Sequence, residues 1–194
     1  MNISMLTIRN TFHKKLLEKS TRISNTKAWT KAVFNIFAEI AVENDYCCWA
    51  SKHKISRNLW GKIRNLNASD PYEFMVDICL TKIDWRNEYE KRIEIAIECE
   101  WNQAIDELEW DFAKLLHVNA PRKIFVYDSR VNKQKIKEKK LKKMVECYDC
   151  NRLFPGDQIL LIDLNRKNIK YTCWEITKSK KIREKFCLER SWRD

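Results

Sequence analysis

Between Lys27 and Ser51 the apolar side chains Trp29, Ala32, Val33, Ile36, Phe37 and Ile40 recur at i, i+3, i+4, i+7, i+8 and i+11. That spacing lines one face of a 3.6-residue turn and predicts a helix in this stretch. Residues 72–80, YEFMVDICL, alternate and are rich in strand formers, as are residues 92–101, RIEIAIECEW. Both read as strands, joined by the polar TKIDWRNEYEK. Residues 103–117 place Ile105, Leu108, Phe112 and Leu116 on one helical face, and Pro121 follows. A short strand at 123–128, a basic helix at 130–146 and strands at 157–164 and 169–176 complete the pattern, and the chain from Lys178 reads as a basic tail. The order of helix, strand, strand, helix, strand, helix, strand, strand predicts an α/β (α+β) protein with helices packed on a mixed sheet.

Length and composition narrow the functional classes. At 194 residues the chain is expected to form one domain, with a core at about 27–128 and a basic C-terminal extension carrying a strand pair at 129–194. Two glycines, Gly61 and Gly156, are too few for a Walker-type phosphate loop or a dinucleotide fingerprint. Three separated histidines, His13, His53 and His117, argue against a His-rich zinc enzyme. No apolar run approaches the ~18 residues of a membrane span, and the first 24 residues lack a signal-peptide core, so a soluble, intracellular (cytoplasmic) protein without membrane attachment is expected. In that setting the eight cysteines are expected to be reduced.

The net charge of +11 is unevenly placed. Residues 1–127 carry 19 basic and 17 acidic side chains, whereas residues 128–194 carry 19 basic and 10 acidic, net +9. Ten carboxylates nevertheless crowd between Asp84 and Asp111, with only Arg86, Lys91 and Arg92 among them. Along the strand at 92–101, Glu94, Ala96, Glu98 and Glu100 point one way and Ile93, Ile95, Ile97 and Cys99 the other. Carboxylates at i and i+2 on a strand lie roughly 7 Å apart, close enough to flank one cation. Asp77, read as standing inside an apolar strand beside Val76, Ile78 and Leu80, is costly there unless paired or coordinated. Oxygen donors without a His or Cys cluster suit magnesium or manganese, which can polarise a phosphoryl oxygen.

These residues resemble the core of the PD-(D/E)XK nuclease superfamily. The likeness runs from Asp77 through IAIECEW to DFAKLLHVNAPRKIFVY and spans about residues 29–128. It implies a restriction-endonuclease-like mixed central sheet flanked by helices. Asp77, Glu98 and Glu100 would then be the catalytic acids binding Mg2+ or Mn2+. Glu98-Cys99-Glu100 departs from the usual pattern by placing glutamate where lysine is common, and resembles the superfamily's Glu-x-Glu variant. Lys114, in Asp-Phe-Ala-Lys-Leu-Leu, is the candidate for a catalytic lysine displaced to a neighbouring helix. The first helix of this superfamily can supply a further acid, for which Glu39 and Glu43 are placed, and Glu73 is an additional acid near Asp77.

Two further segments bear on partners. Lys133, Lys135, Lys137, Lys139, Lys140, Lys142 and Lys143 surround one acid, Glu138, and Lys180, Lys181 and Arg183 fall in a second basic cluster. Both suit phosphate neutralisation and predict a nucleic-acid partner, DNA ahead of RNA, and a homodimer is compatible with this. Cys147 and Cys150 form a CxxC, but Cys173 and Cys187 lie too far apart to complete a zinc ribbon, so zinc is not expected there. The expected activity is a metal-dependent nuclease hydrolysing phosphodiester bonds. The alternatives are a noncatalytic DNA- or RNA-binding protein with a degenerate nuclease fold and, more remotely, a module whose basic tail binds acidic partners.

Overall fold

Helix formation near the N-terminus follows apolar spacing. The computed structural model describes residues 3–20, 25–50, 54–60, 62, 75–84, 89–102, 104–147, 153–165 and 168–192. These fall into two compact units, Met1–Glu94 and Ile95–Asp194.

In the first unit, α1 (Met5–Ser20) buries Met5, Ile8, Phe12 and Leu16, and α2 (Thr26–Glu43) buries Val33, Ile36, Phe37 and Ile40. Asn25 caps α2 by accepting the Ala28 amide, which satisfies one of the free donors at a helix start. Phe12 and Phe37 meet at 5.1 Å between ring centroids, so the two apolar stripes face each other. The helix expected within 27–51 stops at Glu43, because Asp45 turns to a φ of 60° and redirects the chain. The chain then enters a strand, β1 (Cys47–Ala50), antiparallel to β2 (Ile78–Asp84), with Trp49 opposite Cys79. The short helix α3 (Arg57–Trp60) stands between them in the chain. Asp77 lies in a bend just before β2 rather than inside a strand, and residues 72–74 of the expected 72–80 strand lie outside the described residues.

The second unit begins within β3 (Tyr89–Glu100). It continues through α4 (Ile105–His117), β4 (Arg122–Tyr127), α5 (Arg130–Cys147), β5 (Gln158–Leu164), β6 (Asn168–Ile176) and β7 (Ile182–Ser191). Parallel pairing joins β3 to β4 and β4 to β5, with α4 and α5 as the crossover helices. The apolar runs KIFVY and ILLI suit strands covered on both faces, and Ile124, Phe125, Val126, Leu160 and Ile162 are fully buried. Beyond β5 the pairing becomes antiparallel through β6 to β7. The sheet is therefore mixed, and the chain is of mixed α/β class, as expected from the element order. The stretch expected to be a basic tail is β7, whose register runs from Asn168 opposite Ser191 to Ile176 opposite Ile182. None of the described helices is long and apolar enough to cross a membrane.

Candidate functional site

Strand register carries Glu98 into the interior. It lies opposite Phe125 of β4, which in turn lies opposite Leu161 of β5, so the three share one sheet face. Glu98 is only 4% exposed, so it is not the solvent side of an edge strand. A buried carboxylate requires a counter-charge, and α4 supplies it. Lys114 Nζ donates to Glu98 Oε1 at 2.8 Å and lies 2.5 Å from Asp111 Oδ1, one helical turn earlier. Burial works against the Lys114 ammonium, but the hydrogen bonds to Asp111 and Glu98 outweigh it and hold its pKa above the usual lysine value.

Glu100 ends β3 beside this group. Its pKa is pushed up to about 7, first by burial and then by a hydrogen bond shared with the Asp111 carboxyl, while the Asn102 amide donates to it and opposes the rise. Lys114 thus pairs with two carboxyls, Glu98 and Asp111, and Asp111 in turn shares a hydrogen bond with a third, Glu100. The excess negative charge is what a divalent cation would relieve, and oxygen-only donors match magnesium or manganese. Among the described residues no three His, Cys, Asp or Glu side chains are already grouped to hold a metal ion, and here Lys114 supplies the positive charge.

Glu100 makes stability depend on pH. Its folded pKa of about 7 exceeds the ~4.3 of a free glutamate, so between these values the folded chain holds a proton that the unfolded chain has lost. Stability from this group is therefore greatest below about pH 4 and declines as pH rises through 7. The slope is bounded by one proton, ~1.4 kcal/mol per pH unit, and lies below that because Glu100 is half-buried. In urea unfolding of metal-free protein at pH 5.5, 6.5 and 7.5, the wild type should lose stability relative to Glu100→Gln as pH rises. A wild-type-minus-variant difference that stays constant with pH would refute the assignment.

The remaining expected residues belong to the first unit. Asp77, in the first unit, pairs with Lys54 Nζ at 2.8 Å, and that ammonium also sits 4.8 Å from the centre of the Phe34 ring. Glu39 accepts from Lys15 at 3.0 Å and Lys19 at 2.9 Å, and Glu43 accepts from Lys15 at 2.6 Å, so both acids tie α2 to α1. Burial raises the Glu39 pKa, but the bonds from Lys19 and Lys15 prevail and lower it overall. Glu94 is buried and bound by Arg92 Nε at 2.7 Å. Glu73 lies outside the described residues.

Compared with protein-family models, curated proteins and solved structures, the chain matches none.

The basic residues also separate. Lys137 is a correction to the expected phosphate-binding set: it is fully buried, and its ammonium donates to the Asp128 carbonyl at 2.9 Å. It shares the buried face of α5 with Leu141 and Val145, at i+4 and i+8. Lys140 pairs with Glu109 of α4 at 2.9 Å, and Arg183 pairs with Glu175. Lys135, Lys139, Lys142, Lys143 and Lys181 are exposed on the second unit, Lys180 follows the β6 strand at a φ of 58°, and Lys133 belongs to α5. Cys147 is exposed, and Cys150 lies outside the described residues.

Sequence reasoning passed over Asp111 and Asp163. Asp111 was legible only as the i−3 partner of Lys114, a relation that matters once β3 and α4 are packed together. Asp163, 1% exposed, accepts the Ser129 amide at 2.9 Å and so joins the end of β5 to the start of α5. Its charge, with those of Glu138 and Cys187, adds to burial in pushing the Tyr127 phenol well above its ordinary pKa.

Proposed function

We propose that the protein is a metal-dependent nuclease whose centre is the group Glu98, Glu100, Asp111 and Lys114. The observation that carries this reading is the buried Glu98 carboxylate held 2.8 Å from a lysine on the following helix, with Asp111 also on that lysine and Glu100 bonded to Asp111. The resemblance to PD-(D/E)XK nucleases implies Glu98, Glu100 and a displaced Lys114 in this role together with Asp77; Asp111 joins the group here through its contacts with Lys114 and Glu100. Glu98, Glu100 and Asp111 would hold a magnesium or manganese ion, which supplies Lewis-acid polarisation of a phosphoryl oxygen when bound. Lys114, with its proton held firmly, offers an ammonium to charge developing on the phosphate. Glu98 keeps that ammonium in place, and the sheet beneath excludes water from one side of it.

The test is incubation of purified protein with single-stranded and duplex DNA and with RNA, in magnesium, manganese or EDTA, beside Glu98→Gln and Lys114→Met. Cleavage is expected with metal only, and each substitution should lower it about a hundredfold, the scale of losing one preorganised charged group. Metal-dependent cleavage that survives both substitutions would place the chemistry elsewhere. A second reading, a noncatalytic nucleic-acid-binding protein, is favoured by one observation: Lys114 is already neutralised by two carboxylates. Salt-sensitive binding without cleavage under any metal would select it.

A further inference from the structure

A groove of about 280 Å³ opens in the second unit between α5 and the ribbon of β6 and β7. One wall is the stripe Lys135, Lys139 and Lys142, at i, i+4 and i+7 on one flank of the helix. Trp174, only 2% exposed, and Ile182 contribute from the sheet, and Glu184 stands on the strand side. The acid within the lysine stripe, Glu138, is neutralised by Lys170 and accepts from Thr172 Oγ1 at 3.3 Å. Among the described residues none of the three lysines is in an ion pair, whereas Lys137 and Lys140 on the same helix are committed inward and to α4.

We propose that this groove holds the phosphodiester backbone of a single nucleic-acid strand. The three ammoniums span seven residues of helix, about 10 Å at 1.5 Å per residue. That is the length of about three nucleotides at 3.4 Å of axial rise per strand. The volume lies just below the range of drug-sized ligand sites, enough for a short length of backbone and too small to admit a duplex. Glu184 on the opposite wall repels phosphate and favours the lysine side. The inference rests on the proposed function in needing a nucleic-acid partner, but it concerns binding and not bond cleavage.

The test uses the full chain in the non-cleaving Glu98→Gln background with EDTA and a labelled 20-nucleotide single-stranded DNA, its RNA counterpart and the matching duplex. Lys135→Gln/Lys139→Gln/Lys142→Gln is compared with a charge-matched triple in the first unit, Lys14→Gln/Lys27→Gln/Lys31→Gln. The groove triple should weaken single-strand binding at least about tenfold and flatten the slope of log K against log salt by about 2, near 0.7 for each phosphate no longer neutralised. The control should change Kd less than about twofold. Thermal melts of both triples should match the parent, since all six lysines are exposed. Equal losses in the two triples, or no loss in the groove triple, overturn the proposal, and so does duplex binding as tight and as sensitive as single-strand binding. If the protein without Glu98→Gln never cleaves but the groove triple loses binding, the groove stands and the nuclease reading falls. If that protein cleaves while the groove triple binds like its parent, the nuclease reading stands and the groove falls.

Discussion

Phe125→Ala should cost about 3–5 kcal/mol, the range for truncating a fully buried aromatic and leaving a cavity. Phe125 has no exposed surface and lies on β4, with β3 on one side and β5 on the other. Its ring meets Phe112 of α4 edge-on, 5.1 Å between centroids at 62°, and stacks on Tyr127 at 5.5 Å and 23°. Strand neighbours fixed by backbone hydrogen bonds cannot collapse into the space, so the cavity remains. Against a typical stability of about 5–15 kcal/mol this is a large fraction, and a thermal melt should fall by about 10 °C or more. Phe125→Leu, which keeps most of the volume, should cost about 1 kcal/mol. A Phe125→Ala loss below about 1 kcal/mol in urea unfolding would show that the α4–sheet contact is not a packed core. Phe112 and Lys114 belong to the same helix, so the substitution also loosens the element that brings Lys114 to Glu98.

Among the elements read correctly from sequence, the helices α2 and α4 are those whose burial pattern is set by one dominant neighbour. The apolar stripe of α2 and the face of α4 carried Phe37 and Phe112 into view because a helix buries one side and exposes the other. Besides the four-residue α3, three elements escaped for separate reasons. β1 continues the apolar character of α2 through Cys47, Cys48 and Ala50, and the two are separated by a single backbone turn at Asp45, a position with no glycine to announce it. α1 carries a helical period in Met5, Ile8, Phe12 and Leu16, diluted by the polar residues between them. β7, IREKFCLERS, buries none of its residues fully and is a strand because β6 offers it a hydrogen-bonding edge, a tertiary cause that composition does not record. At the site, alternation along β3 put Glu98 and Glu100 on one face. Alternation could not show that helices cover that face, which turns a solvated glutamate into a buried one. Lys137 shows the converse, a lysine in a lysine-rich run that faces the sheet because Leu141 and Val145 do.

Lys114→Met is the change with the greatest consequence for the carboxylate group itself. Methionine keeps the length and the aliphatic packing of the side chain and removes only the ammonium. Glu98, whose side chain is 5% exposed, would then lose the cation 2.8 Å away, and Asp111 would lose the one at 2.5 Å. Removing one partner of a buried pair typically costs about 3–5 kcal/mol. The low end, about 3 kcal/mol, is expected here because a third of the Lys114 side chain is in water. Glu98→Gln in the same chain removes the stranded charge, so the double variant should recover part of that loss, and the double-mutant cycle should return a coupling of about 1–3 kcal/mol. Metal separates a structural ion pair from a site able to take a cation. In EDTA the Lys114→Met protein should melt well below wild type, and millimolar magnesium or manganese should close much of the gap if the carboxyls take an ion where the ammonium stood. Sodium at the same ionic strength distinguishes coordination from screening, because screening depends on ionic strength and not on which ion supplies it. A destabilised Lys114→Met whose melting is indifferent to magnesium and manganese would leave Glu98, Asp111 and Lys114 as a stabilising triad and remove the metal from the proposed function.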